Sequence, residues 1–285
     1  MNYEQLGKKL LSYNDPIYVC NPFTQETVRL PQLTLIKAAA KNDFLLIGFG
    51  YLNATKEYKI VRIFYYEDSK FCKGQVQVYT LGDKNGWRYK GITDHFLGKS
   101  NGVLCNGALY WIANMGTEIV AFDLADEKFR SVPMPPCFPI KYIDPCFPTP
   151  LQVLGGCLSI VLYRYSLGWS TDIWSLKPLM DSKKENDKLH WSNEFIIQFK
   201  DLHRAYYCPI SLTEENKVLA WHMQMYCSTQ NTLCHYDPKT ATSEEFMYDD
   251  AGGFQIFQVI PYMKSDVSLT ALVPDMPVSN WNSMN

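Results

Sequence analysis

The chain has 285 residues, of which 47% are hydrophobic and 20% charged, and its formal net charge is -2. That composition supports a proper core and excludes a disordered chain. The near-neutral balance gives no general pull toward nucleic acid or an anionic membrane surface, so neither is expected as a partner.

In chain order, the first 16 residues carry no apolar leader-like run, and no stretch of about 18 apolar residues follows anywhere. Residues 33–41 (LTLIKAAAK) form the best helical candidate. The rest reads as short runs rich in Val, Ile, Tyr, Phe and Trp, broken by Gly, Pro, Asn and Asp. Strands are expected at 17–20, 44–51, 58–66, 75–80, 109–113, 119–123, 151–153, 158–165, 171–176, 195–199, 218–226 and 232–236. Between them, residues 133–150 hold seven prolines, which cannot donate to a ladder, and are expected to form a loop or an edge crossing. Residues 181–188 (DSKKENDK) read as a solvated tip. Residues 253–272 read as a final pair of strands that joins the N-terminal ones in a shared sheet, and 274–285 as a flexible tail.

A weak repeat runs through these elements, at 17–31, 76–91, 118–135, 170–178 with Trp191, and 232–246. Each unit has a strand, a turn and a second strand with an aromatic or a Leu-Pro. Turns at Asn21-Pro22, Asp123-Leu124 and Asp237-Pro238 share one logic: the Asn or Asp side chain bonds its own backbone, and Pro, where present, presets φ. Units recur every roughly 40 to 60 residues, the size of a four-stranded propeller blade. Dividing the length by about 45 residues per blade predicts an all-β propeller of about six four-stranded blades, one domain over residues 1–273.

Little in the sequence points to chemistry. Nine cysteines, an odd number with no CxxC pair, fit a reducing compartment and buried packing, hence the cytoplasm or nucleus. The sequon Asn53-Ala54-Thr55 is read as chance. Cys227, Cys234 and His235 are close in sequence but lack a fourth ligand, so no metal is expected. Gly48-Phe49-Gly50 lacks the third glycine and the helix of a dinucleotide loop. Asp123 reads as a turn cap rather than a catalytic carboxylate, and no cofactor or catalytic residue is assigned. Trp87, Trp111, Trp174 and Trp191 fall at repeat-like positions and are expected to pack between blades. Aromatics in loop-like stretches are the candidate protein-binding anchors: Trp169, Tyr206, Tyr207, Phe138 and Tyr142, with Phe147 beside the last two.

Three blocks carry a family resemblance: Asn21-Pro22-Phe23-Thr24-Gln25-Glu26 with Leu30-Pro31, Gly107 to Ala113 with Ile119 to Leu124, Glu127 to Phe129 and Val132-Pro133, and Tyr262 to Leu269. In their order and spacing these resemble the F-box-associated domain of plant F-box proteins, the kelch-like group that includes S-locus F-box proteins. The resemblance covers about residues 13–272. It implies a non-catalytic, kelch-like propeller that presents a target protein to a Skp1–cullin–F-box ubiquitin ligase. Family members carry an F-box ahead of this domain, and the residues before Tyr13 do not form one, so Skp1 and cullin are expected as partners only with an F-box upstream. Two other readings stand beside it: a truncated paralogue that binds as a competitor, and a small-ligand or glycan binder on the same scaffold.

Overall fold

The structure, a computed structural model, describes residues 17–32, 44–66, 73–98, 100–136, 151–164, 170–178, 189–198, 205–224, 232–248 and 264–280. Among these residues it is all-β apart from a one-turn helix, α1 (Leu269–Leu272), and a 3-10 turn at Asn114–Gly116. Nineteen strands among the described residues make five antiparallel sheets.

The first sheet joins β1 (Tyr18–Asn21) and β2 (Glu26–Arg29) to β19 (Val278–Asn280). The second is a meander of β3 (Phe44–Leu52), β4 (Glu57–Tyr65), β5 (Gly74–Thr80) and β6 (Arg88–Thr93). The third runs through β7 (Val103–Cys105), β8 (Ala108–Ala113), β9 (Glu118–Asp123) and β10 (Lys128–Val132). The fourth holds β11 (Leu151–Leu154), β12 (Cys157–Arg164), β13 (Ser170–Pro178) and β14 (Leu189–Gln198). The fifth holds β15 (Ala205–Leu212), β16 (Val218–Gln224), β17 (Thr232–Asp237) and β18 (Thr242–Tyr248).

Each sequence repeat falls in a different sheet, so counting repeats gives the five sheets seen. Dividing the length by one blade's length predicts about six, where five sheets are seen among the described residues. The chain falls into two compact units, one built on residues 8–132 with 262–285 and the other on 133–261.

In the first unit, alternation along β3 and β4 sends Leu46, Val61 and Ile63 to one face. There they meet Leu109, Trp111, Val120 and Phe122 of the third sheet in one buried cluster. Each such side chain is worth about 1.5–3 kcal/mol on burial. Gly48 and Gly50 lie on this face because the third sheet comes so close. A Cβ would stand 2.5 Å from Leu109 Cδ1 at Gly48, and 2.5 Å from Leu124 Cδ1 at Gly50. In the second unit, Leu154, Ile173 and Ile197 of the fourth sheet pack on Val218, Ala220, Cys234 and Tyr236 of the fifth.

The N-terminal strands do share a sheet with C-terminal residues, but through a different segment. β19, inside the stretch expected to be a tail, pairs Val278 with Val28 and Asn280 with Glu26. Leu269–Leu272, expected in a strand, is helical because the Ser268 hydroxyl accepts from Ala271 N and caps a single turn. The helical candidate 33–41, the tip 181–188, residues 253–263 and residues 281–285 lie outside the described residues.

Candidate interaction surface

The Asn-Pro turn of the first sheet is a clasp. Asn21 Oδ1 accepts from Phe23 N at 3.0 Å, the local bond the sequence predicts. Its amide also donates to Ser265 O at 3.0 Å and to Val267 O at 2.8 Å. Glu26 accepts from Ser268 Oγ (2.8 Å), Leu269 N (2.7 Å) and Thr270 Oγ1 (2.8 Å), while Thr24 Oγ1 steadies it at 2.8 Å. Desolvation pushes the Glu26 carboxyl up, but the bonds from Thr270, Leu269, Ser268 and Thr24 outweigh it and hold the group down at about 2. The Asn-Pro-Phe-Thr-Gln-Glu block is therefore structural.

A second polar lock lies between the second and third sheets. Glu127 accepts from Arg88 at 2.6 Å, Lys90 at 2.9 Å and Lys59 at 3.0 Å. Lys59, itself buried, also donates to Leu124 O at 2.8 Å. Desolvation again raises the Glu127 carboxyl, and hydrogen bonds and charge from Lys90, Lys59 and Arg88 override it, to about 2. All three cations share this one carboxylate, so the cluster fastens sheets together and leaves no open anion site.

Two of the repeat-position tryptophans also act as fasteners. The indole N–H of Trp87 donates to Pro31 O at 2.9 Å, and that of Trp191 to Pro133 O at 2.5 Å. Pro31 ends the first repeat, and Pro133 directly follows β10 and belongs to the same unit as Trp191. Trp111 is fully buried in the core and Trp174 stands in β13.

Surfaces fit for a partner are found elsewhere. β3 is one of the two edge strands of its sheet. Opposite its glycine face it turns Phe49 and Tyr51 outward, 43% and 37% exposed, enough for another molecule to touch both rings. Tyr58 of β4 lies between them: it stacks on Phe49 with centroids 5.7 Å apart and meets Tyr51 at 4.7 Å. The exposed hairpin tip 53–56 extends this shelf.

At the other end of the same two sheets, Asn114, Met115 and Gly116 all take positive φ, of 51°, 57° and 92°. Asn114 anchors the turn through bonds with Phe96 N at 3.1 Å and Glu118 Oε2 at 2.7 Å. Met115 then projects, 85% exposed. A left-handed methionine costs about 1 kcal/mol or more, strain that clusters at functional sites. The sequence signals for these residues are the alternation of β3 and the Asn-Met-Gly turn, and none of them is an aromatic in a loop.

Of the anchors expected from sequence, Trp169, Phe138 and Tyr142, with Phe147, lie outside the described residues. Tyr206 stands in β15 opposite Met223. Its neighbour Tyr207, also in a strand rather than a loop, is half-buried and stacks on His222 at 4.8 Å and 18°. Burial raises its phenol pKa, and its hydroxyl reaches Ser243 Oγ at 3.4 Å. His222 lies 3.2 Å from Glu245.

Among the described residues no group of three His, Cys, Asp or Glu side chains could hold a metal ion. Burial pushes the Cys234 thiol up to about 12, so it is a packing group rather than a nucleophile. No helix among the described residues is long and apolar enough to cross a membrane.

Comparison with known proteins agrees with the all-β architecture. Residues 6–270 match the family described as F-box associated beta propeller domain. The F-box protein At3g07870 of Arabidopsis thaliana is 30% identical over 211 residues, covering 65% of this chain and 47% of that protein. The F-box/LRR-repeat/kelch-repeat protein At2g27520 of the same plant is 30% identical over 217 residues, 71% of this chain and 56% of the other. The F-box/kelch-repeat protein At3g23880, also from Arabidopsis thaliana, is 28% identical over 178 residues, 59% and 45% of the respective chains. The chain spans about half the length of the curated relatives it matches.

Proposed function

Because the chain belongs to the F-box-associated β-propeller family of plant F-box proteins, we propose that it is the target-recognition part of a Skp1–cullin–F-box ubiquitin ligase. The observation that carries this reading is the family match across residues 6–270. Its role is positioning: a target protein is held while ubiquitin transfer is done by other subunits, with no bond made or broken by this chain's side chains. Its proposed sites of action are the cytoplasm and the nucleus.

The proposed contact residues are aromatic. Trp169, Phe138, Tyr142, Tyr206 and Tyr207 come from the sequence, and Phe49, Tyr51 and Tyr58 join them as the exposed shelf on β3 and β4. Rings held on a rigid sheet give contact area at small entropic cost, the usual character of an interface anchor.

The experiment is capture of bound proteins from plant cells, followed by their turnover when this chain is depleted. A captured protein that accumulates on depletion, and that also accumulates when cullin activity is blocked, supports the ligase reading. A bound protein whose turnover is faster on depletion points instead to the competitor reading. Binding only of glycans or small molecules would point to the ligand reading. For the contact residues, Trp169→Ala should weaken capture at least tenfold while leaving the melting temperature nearly unchanged. A large fall in melting temperature instead would place Trp169 in the core.

A further inference from the structure

Residues 264–280 are fastened to their unit in an unusual way. Their two regular elements are a one-turn helix and a three-residue strand, each too short to stand alone. Their apolar anchor has three buried residues, Leu269, Val273 and Val28, with Val19, Leu81, Leu272, Met276 and Val278 packed partly buried around them. Around that anchor runs a dense set of polar bonds from one hairpin. Asn21 binds the carbonyls of Ser265 and Val267, and Glu26 gathers Ser268, Leu269 and Thr270. Lys84–Asp275 at 2.7 Å and Tyr79 Oη–Met276 Sδ at 3.4 Å add two side contacts. The neighbouring second and third sheets, by contrast, share a continuous apolar core.

We propose that residues 264–280 form a latch that opens and closes on the β2 edge as one cooperative unit, while the second and third sheets stay folded. The Asn21–Glu26 hairpin is its keeper. Opening removes β19 and bares the backbone groups of Glu26, Thr27 and Val28 that it pairs. The closed state is set by a carboxylate that accepts from several donors at once, so losing one residue's charge weakens every bond together. Local openings of this kind are expected where buried apolar contacts are few.

Hydrogen exchange on the full chain, read by mass spectrometry, tests this. In the wild type, amides of 268–280 should exchange together and at least about tenfold faster than those of β4 and β8. Glu26→Gln should speed 268–280 and 26–29 by roughly a further tenfold, with β4 and β8 unchanged. Thr270→Val, which removes one donor at an exposed position, should shift the same peptides less. Should Glu26→Gln fail to fold, Thr270→Val and the wild-type comparison decide. Wild-type exchange of 268–280 as slow as β4, or variant effects spread evenly over β4 and β8, would overturn the latch.

Discussion

At the scale of single residues, Glu26 and Glu127 tie stability to pH. Both carboxyls sit at about 2, below their ordinary value of 4.5. A carboxylate depressed on folding contributes stability above its unfolded pKa and loses it as pH falls through the folded one. Stability should therefore fall between about pH 4.5 and 2, and Glu26→Gln should shallow that slope by up to one proton. Urea midpoints across the acid range check it. Trp191→Phe keeps an aromatic ring, though a smaller one, and removes the donor to Pro133 O, leaving that acceptor without its indole partner. A loss of about 1 kcal/mol in urea unfolding is expected. The local half of this chemistry was legible: Asn21, Asp123 and Asp237 each accept from their own turn, as the residue types require. The other half was not. Nothing near Glu26 in sequence announces Ser268 or Thr270, and nothing near Glu127 announces Lys59 or Arg88.

At the scale of elements, one turn recurs. Asn21, Asp123 and Asp237 each end a strand, and four residues later Gln25, Glu127 and Ala241 take φ of 59°, 55° and 52°. Lys56 does the same in the β3–β4 hairpin, at 58°. The turn thus spends a left-handed residue to reverse the chain, at a cost glycine avoids. Ala241 is exposed and fits this role with no side-chain bond to lose, so Ala241→Gly should stabilise the chain by about 0.5–1 kcal/mol in urea unfolding. Strands rich in aliphatic and aromatic residues, such as β3, β4, β8 and β9, were legible to within a few residues. β15 was not, because Pro209 argues against a strand; it is tolerated there at a bulge in the pairing with β16. β19 is three residues long between Pro277 and the end of the described chain, too short for any period to show.

At the scale of the whole molecule, the all-β class and the repeat were legible because each repeat hairpin supplies two strands of its own sheet. The number of sheets was legible only by counting repeats, since dividing length by one blade's length assumes a uniform spacing that the repeats do not keep. That N-terminal strands are completed by C-terminal residues was also legible in kind, though the segment expected was earlier in the chain. A chain ending at Pro277 lacks β19 and leaves β2 without its second neighbour. Its melting temperature should drop by several degrees, and scanning calorimetry measures it. An unchanged value would mean that β19 adds nothing to the first sheet.

The separation of Glu26 from its partners has a consequence for how the protein is made. The bonds from Ser268, Leu269 and Thr270 reach back across 242 to 244 positions. A ribosome adds about 5–20 residues per second, so the hairpin emerges roughly ten to fifty seconds before its partners exist. For that interval β2 has β1 on one side and an open edge on the other, which aggregation or a chaperone can claim. Pausing translation late in the message should therefore lower the yield of soluble protein more than an equal pause near the start.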